Sequence, residues 1–239
     1  MRSSWLVVLA GCGRFSFDAT DDGGIARDVA TDTATDTMID ASEPNLVYHF
    51  ALDGDRTDAL GGPPLTCRTG CPTYGPGPRG MSALFDGGAC LEIPDATVHR
   101  APTFTIAAWA DPSAGQAGNV TSRPFQSATT SQNTREMFID VDDWIFSVNS
   151  VQQFMTLGAG TFHHMALTFD GQQFSSFLDG VLVGVPVMVG PALYNAEPEL
   201  VGCDIDDGAV FSQFKGYIDD VRFYDRALSV DEIAALATP

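Results

Sequence analysis

Acidic residues carry most of the chemistry in this sequence, and two groups of them stand close enough along the chain to act together. Asp140, Asp142 and Asp143 fall in "EMFIDVDDW", and Asp204, Asp206 and Asp207 follow Cys203. On an extended strand Asp140 and Asp142 share a face, about 6.5–7 Å apart. That spacing is compatible with two carboxyls flanking a glycosidic bond. A glycosidase acid also needs an apolar pocket that raises its pKa, and the only glutamate near Asp140 is Glu136. The group at Asp204 and Asp206 reads either as the lining of a ligand or cation site or as a solvated turn. Nucleophilic chemistry has less support. His49, His99, His163 and His164 are joined to no Ser or Cys by a recognisable motif, and no Gly-x-Ser-x-Gly elbow is present. Phosphate-cradling Gly-rich loops are absent as well. His163 and His164 are adjacent, so on a strand they point to opposite faces and cannot ligate one ion together.

The elements that would position these groups are strands. From Leu46 onward, period-2 runs alternate with turn residues: "LVYHFAL", "SALFD", "CLEI", "TFTIAAWA", "EMFIDV", "WIFSV", "HMALTFD", "QFSSFLD" and "YIDDVRFY". Asp170-Gly171 and Asp179-Gly180 are hairpin turns, because glycine accepts a positive φ at low cost. In "TFTIAAWA" Phe104, Ile106 and Ala108 share one face and Trp109 the other, so both faces are apolar and the strand lies inside a sheet. One helix is expected near the end, where Ser229 and Glu232 form a capping box ahead of Ile233 and Leu236. The pattern predicts an all-β fold, a two-sheet antiparallel sandwich with one short C-terminal helix.

The 239-residue chain has 31 acidic residues against 12 Lys plus Arg, a net charge of −19. Such a surface repels phosphate backbones and anionic lipid, which argues against nucleic-acid binding and against adhesion of the folded surface to membranes. Lys215 is the only lysine. The N-terminus suggests a different route to a membrane. Arg2, the apolar run Trp5–Ala10 and Gly11-Cys12 have the layout of an export signal, and Leu9-Ala10-Gly11-Cys12 resembles a bacterial lipobox. The expectation is a signal peptide over 1–11 and a lipidated Cys12, which would place the protein, exported, in the bacterial cell envelope. The apolar run of six residues is shorter than the ~7–15 typical of such signals, as an initiation site assigned too far downstream would produce. Residues 12–44 read as a disordered acidic spacer. Asp28, Asp32, Asp36 and Asp40 recur every fourth residue, so a helix would stack like charges, and the segment has too little apolar surface to order itself. The folded domain is expected over 45–239, as a monomer.

With Cys12 assigned to lipid, Cys67, Cys71, Cys90 and Cys203 allow three pairings, among which sequence alone does not choose. Disulfides fit an exported chain. The favoured pairing is Cys67 with Cys71, which flank a short Gly-containing turn, and Cys90 with Cys203, which sit at strand ends near glycines.

Five segments then stand in a telling order: "LVYHFALDGDRTDALGG", "ALFDGGACLEIPD", "FTIAAWADP", "FHHMALTFDGQQFSSFLDGVLVG" and "FKGYIDDVRFYDRALSVDEIAAL". This order resembles the LamG-like jelly-roll domains of the concanavalin A-like lectin/glucanase superfamily. The resemblance implies two sheets packed face to face with the terminal strands adjacent. Phe162 stands where the family usually has tryptophan, and the stretch 111–135 reads as irregular, so loop residues are not carried over. Domains of this kind often hold a structural Ca2+ near the paired first and last strands, which points to Asp53, Asp55, Asp219 and Asp220 as oxygen ligands. The alternative is that Asp220 pairs with Arg222 or Arg226 while Asp53 caps a turn. The resemblance also implies a non-catalytic module that recognises carbohydrate or a cell-surface glycoprotein. Trp144 and Tyr194 would stack on sugar rings, and Asp204 and Asp206 would bond hydroxyls. A protein-adhesion module and a glycoside hydrolase are the alternatives.

Overall fold

The computed structural model describes residues 43–113, 115–125 and 132–239. The expected lipidation site Cys12, the signal segment 1–11 and the spacer up to residue 42 lie outside the described residues. The strands, in chain order, are β1 (Leu46–Phe50), β2 (Thr66–Cys67), β3 (Thr73–Gly77), β4 (Gly80–Asp86), β5 (Leu91–Ile93) and β6 (Phe104–Pro112). They continue with β7 (Ala117–Pro124), β8 (Asn133–Asp140), β9 (Asp143–Val148), β10 (Val151–Thr156), β11 (His163–Phe169) and β12 (Gln173–Leu178). The last are β13 (Val181–Met188), β14 (Glu199–Val201), β15 (Asp204–Asp206), β16 (Ala209–Phe211) and β17 (Lys215–Tyr224), followed by helix α1 (Val230–Leu236).

Two antiparallel sheets carry the fold. One runs β13-β12-β11-β6-β17-β4-β3, with β1 also paired to β17; the other runs β10-β9-β8-β7-β14-β5-β2. The period-2 alternation of each strand sends one set of side chains into the space between the sheets. From the first sheet come Phe104, Ile106, Leu167, Phe169 and Phe174; from the second come Met137, Ile139, Trp144, Phe146 and Val148, all buried in one core. Burying each such side chain contributes about 1.5–3 kcal/mol, which makes this core the main stabilising feature.

The opposite faces are covered differently. On the first sheet, Ala107, Ala166, Phe177 and Tyr224 point outward and are capped by Leu228, Ile233 and Leu236 around α1. The Ser229 side chain accepts from the Glu232 backbone N–H, and the Glu232 carboxylate accepts from the Ser229 N–H, so the capping box read from the sequence starts this helix. On the second sheet, Cys90, Leu200, Cys203, Ile205 and Val210 form a smaller cluster beneath the β15–β16 hairpin. Disulfides join Cys67 to Cys71 and Cys90 to Cys203. The second ties the start of β5 to the base of this hairpin.

Two expectations are corrected here. The stretch 111–135, read as irregular, contains β7, whose residues Gly118 to Pro124 are buried. Its alternation is hidden because polar side chains such as Asn119 and Ser122 are buried with hydrogen-bond partners on its outer face. Asp140 and Asp142 do not share a strand face. Asp140 ends β8 opposite Asp143 of β9, and Asp142 sits in the tight turn between them, where Val141 takes a φ of 60°.

Candidate functional site

The outer face of the second sheet carries a pocket of about 320 Å³. Met137 and Ile139 of β8 point into the core, so Glu136 and Phe138 point the other way. The cross-strand partners of those two, Ser122 and Asn119 of β7, stand beside them on the same face. The β15–β16 hairpin overhangs this area, and the pocket is bounded by Asn133, Glu136, Phe138, Gln152, Asp204 and Phe211 among others.

The polar groups in the pocket floor are tightly held. The Asn133 side-chain amide donates to Glu136 Oε2 at 2.8 Å and to Asp204 Oδ2 at 2.8 Å, so the two oxygens lie within twice that distance of each other. Asn119 donates to the same Glu136 oxygen at 3.2 Å. Asp204 Oδ1 accepts from the Ser122 hydroxyl at 3.0 Å and from the Ile205 backbone N–H at 2.8 Å. Burial pushes the Glu136 pKa up, and the nearby Asp204 charge adds to the effect. Burial likewise raises Asp204. Above this floor the Asp206 side chain is half-buried and Phe211 is 51% exposed. Asp204 and Asp206, read from the sequence as lining a loop site or a solvated turn, both border this pocket, with Asp204 buried in its floor. Glu136, Asn119 and Asn133 were missed as site residues. The alternation of Glu136 with Met137 in a strand was the signal available for one of them.

The other proposed aromatic platforms lie elsewhere. Trp144 is fully buried in the core, donating its indole N–H to the Leu157 carbonyl at 3.1 Å, so it has no face to offer a sugar. Tyr194 is half-buried; its hydroxyl donates to the Ala101 carbonyl at 2.7 Å and the Arg123 guanidinium sits 5.5 Å over its ring. That arginine belongs to a buried network in which Arg123 pairs with Asp95 at 2.6 Å and Arg135 with Glu199 at 2.6 Å.

The second acidic site lies in β17. This strand pairs with β6 along its length, with β4 over Lys215–Ile218, and with β1 over Val221–Tyr224. Where the partner changes, the register slips between Asp219 and Arg222, and Asp220 takes a φ of 50°. Such a bulge re-aims its side chains. Asp220 accepts from His49 at 2.6 Å, from Arg79 at 3.0 Å and from Arg222 at 3.0 Å. Burial opposes its charge, but the His49 hydrogen bond and the Arg222 and Arg79 charges outweigh burial and hold its pKa below the usual carboxylate range. Asp219 is fully buried, and its Oδ1 has no hydrogen-bond partner. Burial, then the Asp220 and Asp53 charges, push its pKa up to about 8. Gly80, with φ of 99°, sits in the left-handed region that favours glycine, beside Asp53.

This geometry divides the four residues expected to hold Ca2+. Asp220 is committed to its cations, and Asp55 folds back onto the Thr57 N–H and hydroxyl at 2.8 and 2.7 Å. Among the described residues no three His, Cys, Asp or Glu side chains stand close enough to hold a metal ion. Asp53 Oδ1 already accepts from the Met81 N–H at 2.6 Å and Asp219 Oδ2 from the Arg79 N–H at 3.3 Å, so a Ca2+ held by these two carboxylates would need backbone carbonyls to complete its ligand set.

A comparison with curated proteins finds no match. Among solved structures, domain 4 of AbnA, an extracellular arabinanase from Geobacillus stearothermophilus solved with arabinotriose, superposes with a TM-score of 0.65 at 20% identity, covering 81% of this chain and 98% of that one. Trypanosoma rangeli sialidase superposes at 0.62 with 16% identity, over 82% of this chain and 33% of the sialidase. The binding domain of Paraclostridial Mosquitocidal Protein 1 superposes at 0.60 with 11% identity, over 81% of this chain and 52% of that one. These likenesses are of fold. The sequence itself matches a laminin-G-type family over residues 85–234, more than half of the chain, and the protein belongs to the concanavalin A-like lectin/glucanase superfamily.

Proposed function

We propose that this domain is a non-catalytic carbohydrate-recognition module that binds glycan, free or on a cell-surface glycoprotein, in the outer-face pocket of β7, β8, β10 and the β15–β16 hairpin. The observation that carries this reading is the pocket's mixed lining. Amides at Asn119 and Asn133, carboxyls at Asp204 and Asp206, and the exposed ring of Phe211 surround about 320 Å³. Saccharides need directional donors and acceptors for their hydroxyls together with an apolar platform for their C–H faces. The complex of AbnA domain 4 with arabinotriose supports the reading by fold analogy alone.

A recognition role is favoured over hydrolysis by what fills the pocket floor. Retaining glycosidases hold two carboxyls roughly 5–5.5 Å apart with the scissile bond between them, whereas here the Asn133 amide stands between Glu136 and Asp204 and bonds both. A glycosidic oxygen would have to displace it. Two further elements complete the proposal. Lipidation at Cys12 and the spacer would hold the module at the cell envelope, and a Ca2+ shared by Asp53, Asp219 and backbone carbonyls would fix the β17 bulge.

A glycan array followed by titration calorimetry tests the main claim. Binding that falls at least about fivefold in both Asn133→Ala and Phe211→Ala supports it. Binding unaffected by either variant, or no glycan bound, overturns it.

A further inference from the structure

We infer that this pocket prefers saccharides carrying a free, protonated amino group and rejects those carrying carboxylates. The inference rests on the carbohydrate-recognition reading and names the substrate class of the same site. Among the described residues that line the pocket, Glu136, Asp204 and Asp206 are acidic and none is Lys, Arg or His. The arginines that share strands with this lining point away from it. Arg123 and Arg135 are cross-strand partners, on the opposite face from the Ser122–Glu136 pair, and they are engaged by Asp95 and Glu199.

The carboxyls also lack the compensation found elsewhere in the molecule. Asp220 is met by the Arg79 and Arg222 guanidiniums and the His49 imidazole, whereas the donors to Glu136 and Asp204 among the described residues are neutral amide, hydroxyl and backbone groups. Glu136 is more than nine-tenths buried, and both amide donations land on its Oε2. Two buried acidic groups this close repel when ionised, and a bound cation relieves that repulsion. The cation implied is organic, because Asn133, Asn119 and Ser122 already direct N–H and O–H donors at Glu136 and Asp204, and a metal ion would have to displace them. Phe211 and Phe138 at the same pocket suit the ring that carries the ammonium. An anionic sugar would meet Asp206 with no basic side chain in the lining to offset it.

Calorimetric titrations at pH 6.5 and low salt, with four probes, decide the matter. They are a glucosamine tetramer, its fully N-acetylated counterpart, a glucuronate-containing tetrasaccharide and tetralysine. The glucosamine tetramer is expected to bind at least tenfold tighter than the N-acetylated one. That preference should shrink several-fold in Asp206→Asn and in 0.5 M NaCl, and the glucuronate probe should show no binding. Equal or tighter binding of the N-acetylated tetramer overturns this inference and leaves the recognition reading standing. Tetralysine binding as tightly as the glucosamine tetramer also overturns it, since charge alone would then suffice. If no saccharide binds, both the inference and the recognition reading fall.

Discussion

Two places in this sandwich bring carboxylates together under burial, and they solve the resulting electrostatic problem in opposite ways. In the β17 bulge, Asp220 is ringed by His49, Arg79 and Arg222, so its charge is neutralised from within the fold. In the outer-face pocket, Glu136 and Asp204 receive amides and a hydroxyl but no cation, and their pKa values rise. On the proposed function, the contrast separates a structural acid from acids that a ligand would meet. Buried charge that is internally paired reports on stability, since removing one partner strands the others. Buried charge satisfied only by neutral donors keeps an unmet demand that a ligand can fill.

The largest effect that should follow is on the structural side. Asp220→Ala takes from the buried Arg222 and Arg79 the carboxylate they share, leaving Arg222 with Glu43, and it should cost about 3–5 kcal/mol in urea denaturation, whereas Glu136→Gln should cost far less. Equal losses would break the comparison. Next comes the staple under the pocket. Cys90 and Cys203 are 113 residues apart and Cys67 and Cys71 only four. Replacing the first pair with alanine should therefore remove about 2–4 kcal/mol, and replacing the second pair distinctly less.

Asp219 gives a third test, with a sign. Its folded pKa of about 8 lies above its ordinary value of 3.8. Its stabilising contribution is therefore present below about pH 4 and is lost as pH rises toward about 8. In EDTA the melting temperature should fall by several degrees across that window, and Asp219→Asn should flatten the fall. Millimolar Ca2+ at pH 8 should restore the lost stability if Asp53 and Asp219 share the ion; no change on adding Ca2+ would sink the calcium proposal. The smallest effect is at Phe211. Phe211→Ala should weaken saccharide binding by about 1–1.5 kcal/mol and leave the melting temperature within a degree or two, because half of the ring is already exposed.

The strands were legible in the sequence because period-2 alternation and Asp-Gly turns report directly on a half-buried pleated surface. The "TFTIAAWA" run was read correctly as an interior strand, and β6 is hydrogen-bonded on both sides, to β11 and β17. The helix start was equally plain at Ser229. The site was much less so. Trp144 drew attention as an exposed platform, but in "WIFSV" its alternation with Phe146 and Val148 places it in the core. Asn133, Asn119 and Glu136 are brought to Asp204 only by strand pairing across β7, β8 and the distant β15 hairpin, which no local pattern encodes. The bulge in β17 was hidden for a similar reason. "YIDDVRFY" reads as a regular strand, and only the handover from β4 to β1 shows why Asp219 and Asp220 face different surroundings.

Backbone amide chemical-shift mapping during titration with neutral and amino tetrasaccharides tests the central claim most directly. The account predicts that saturable shifts concentrate in residues 133–138, 150–152 and 204–212, on the outer face of the second sheet. Shifts centred instead on the β17 bulge and the β3–β4 turn, or no saturable shifts with any of these sugars, would contradict it.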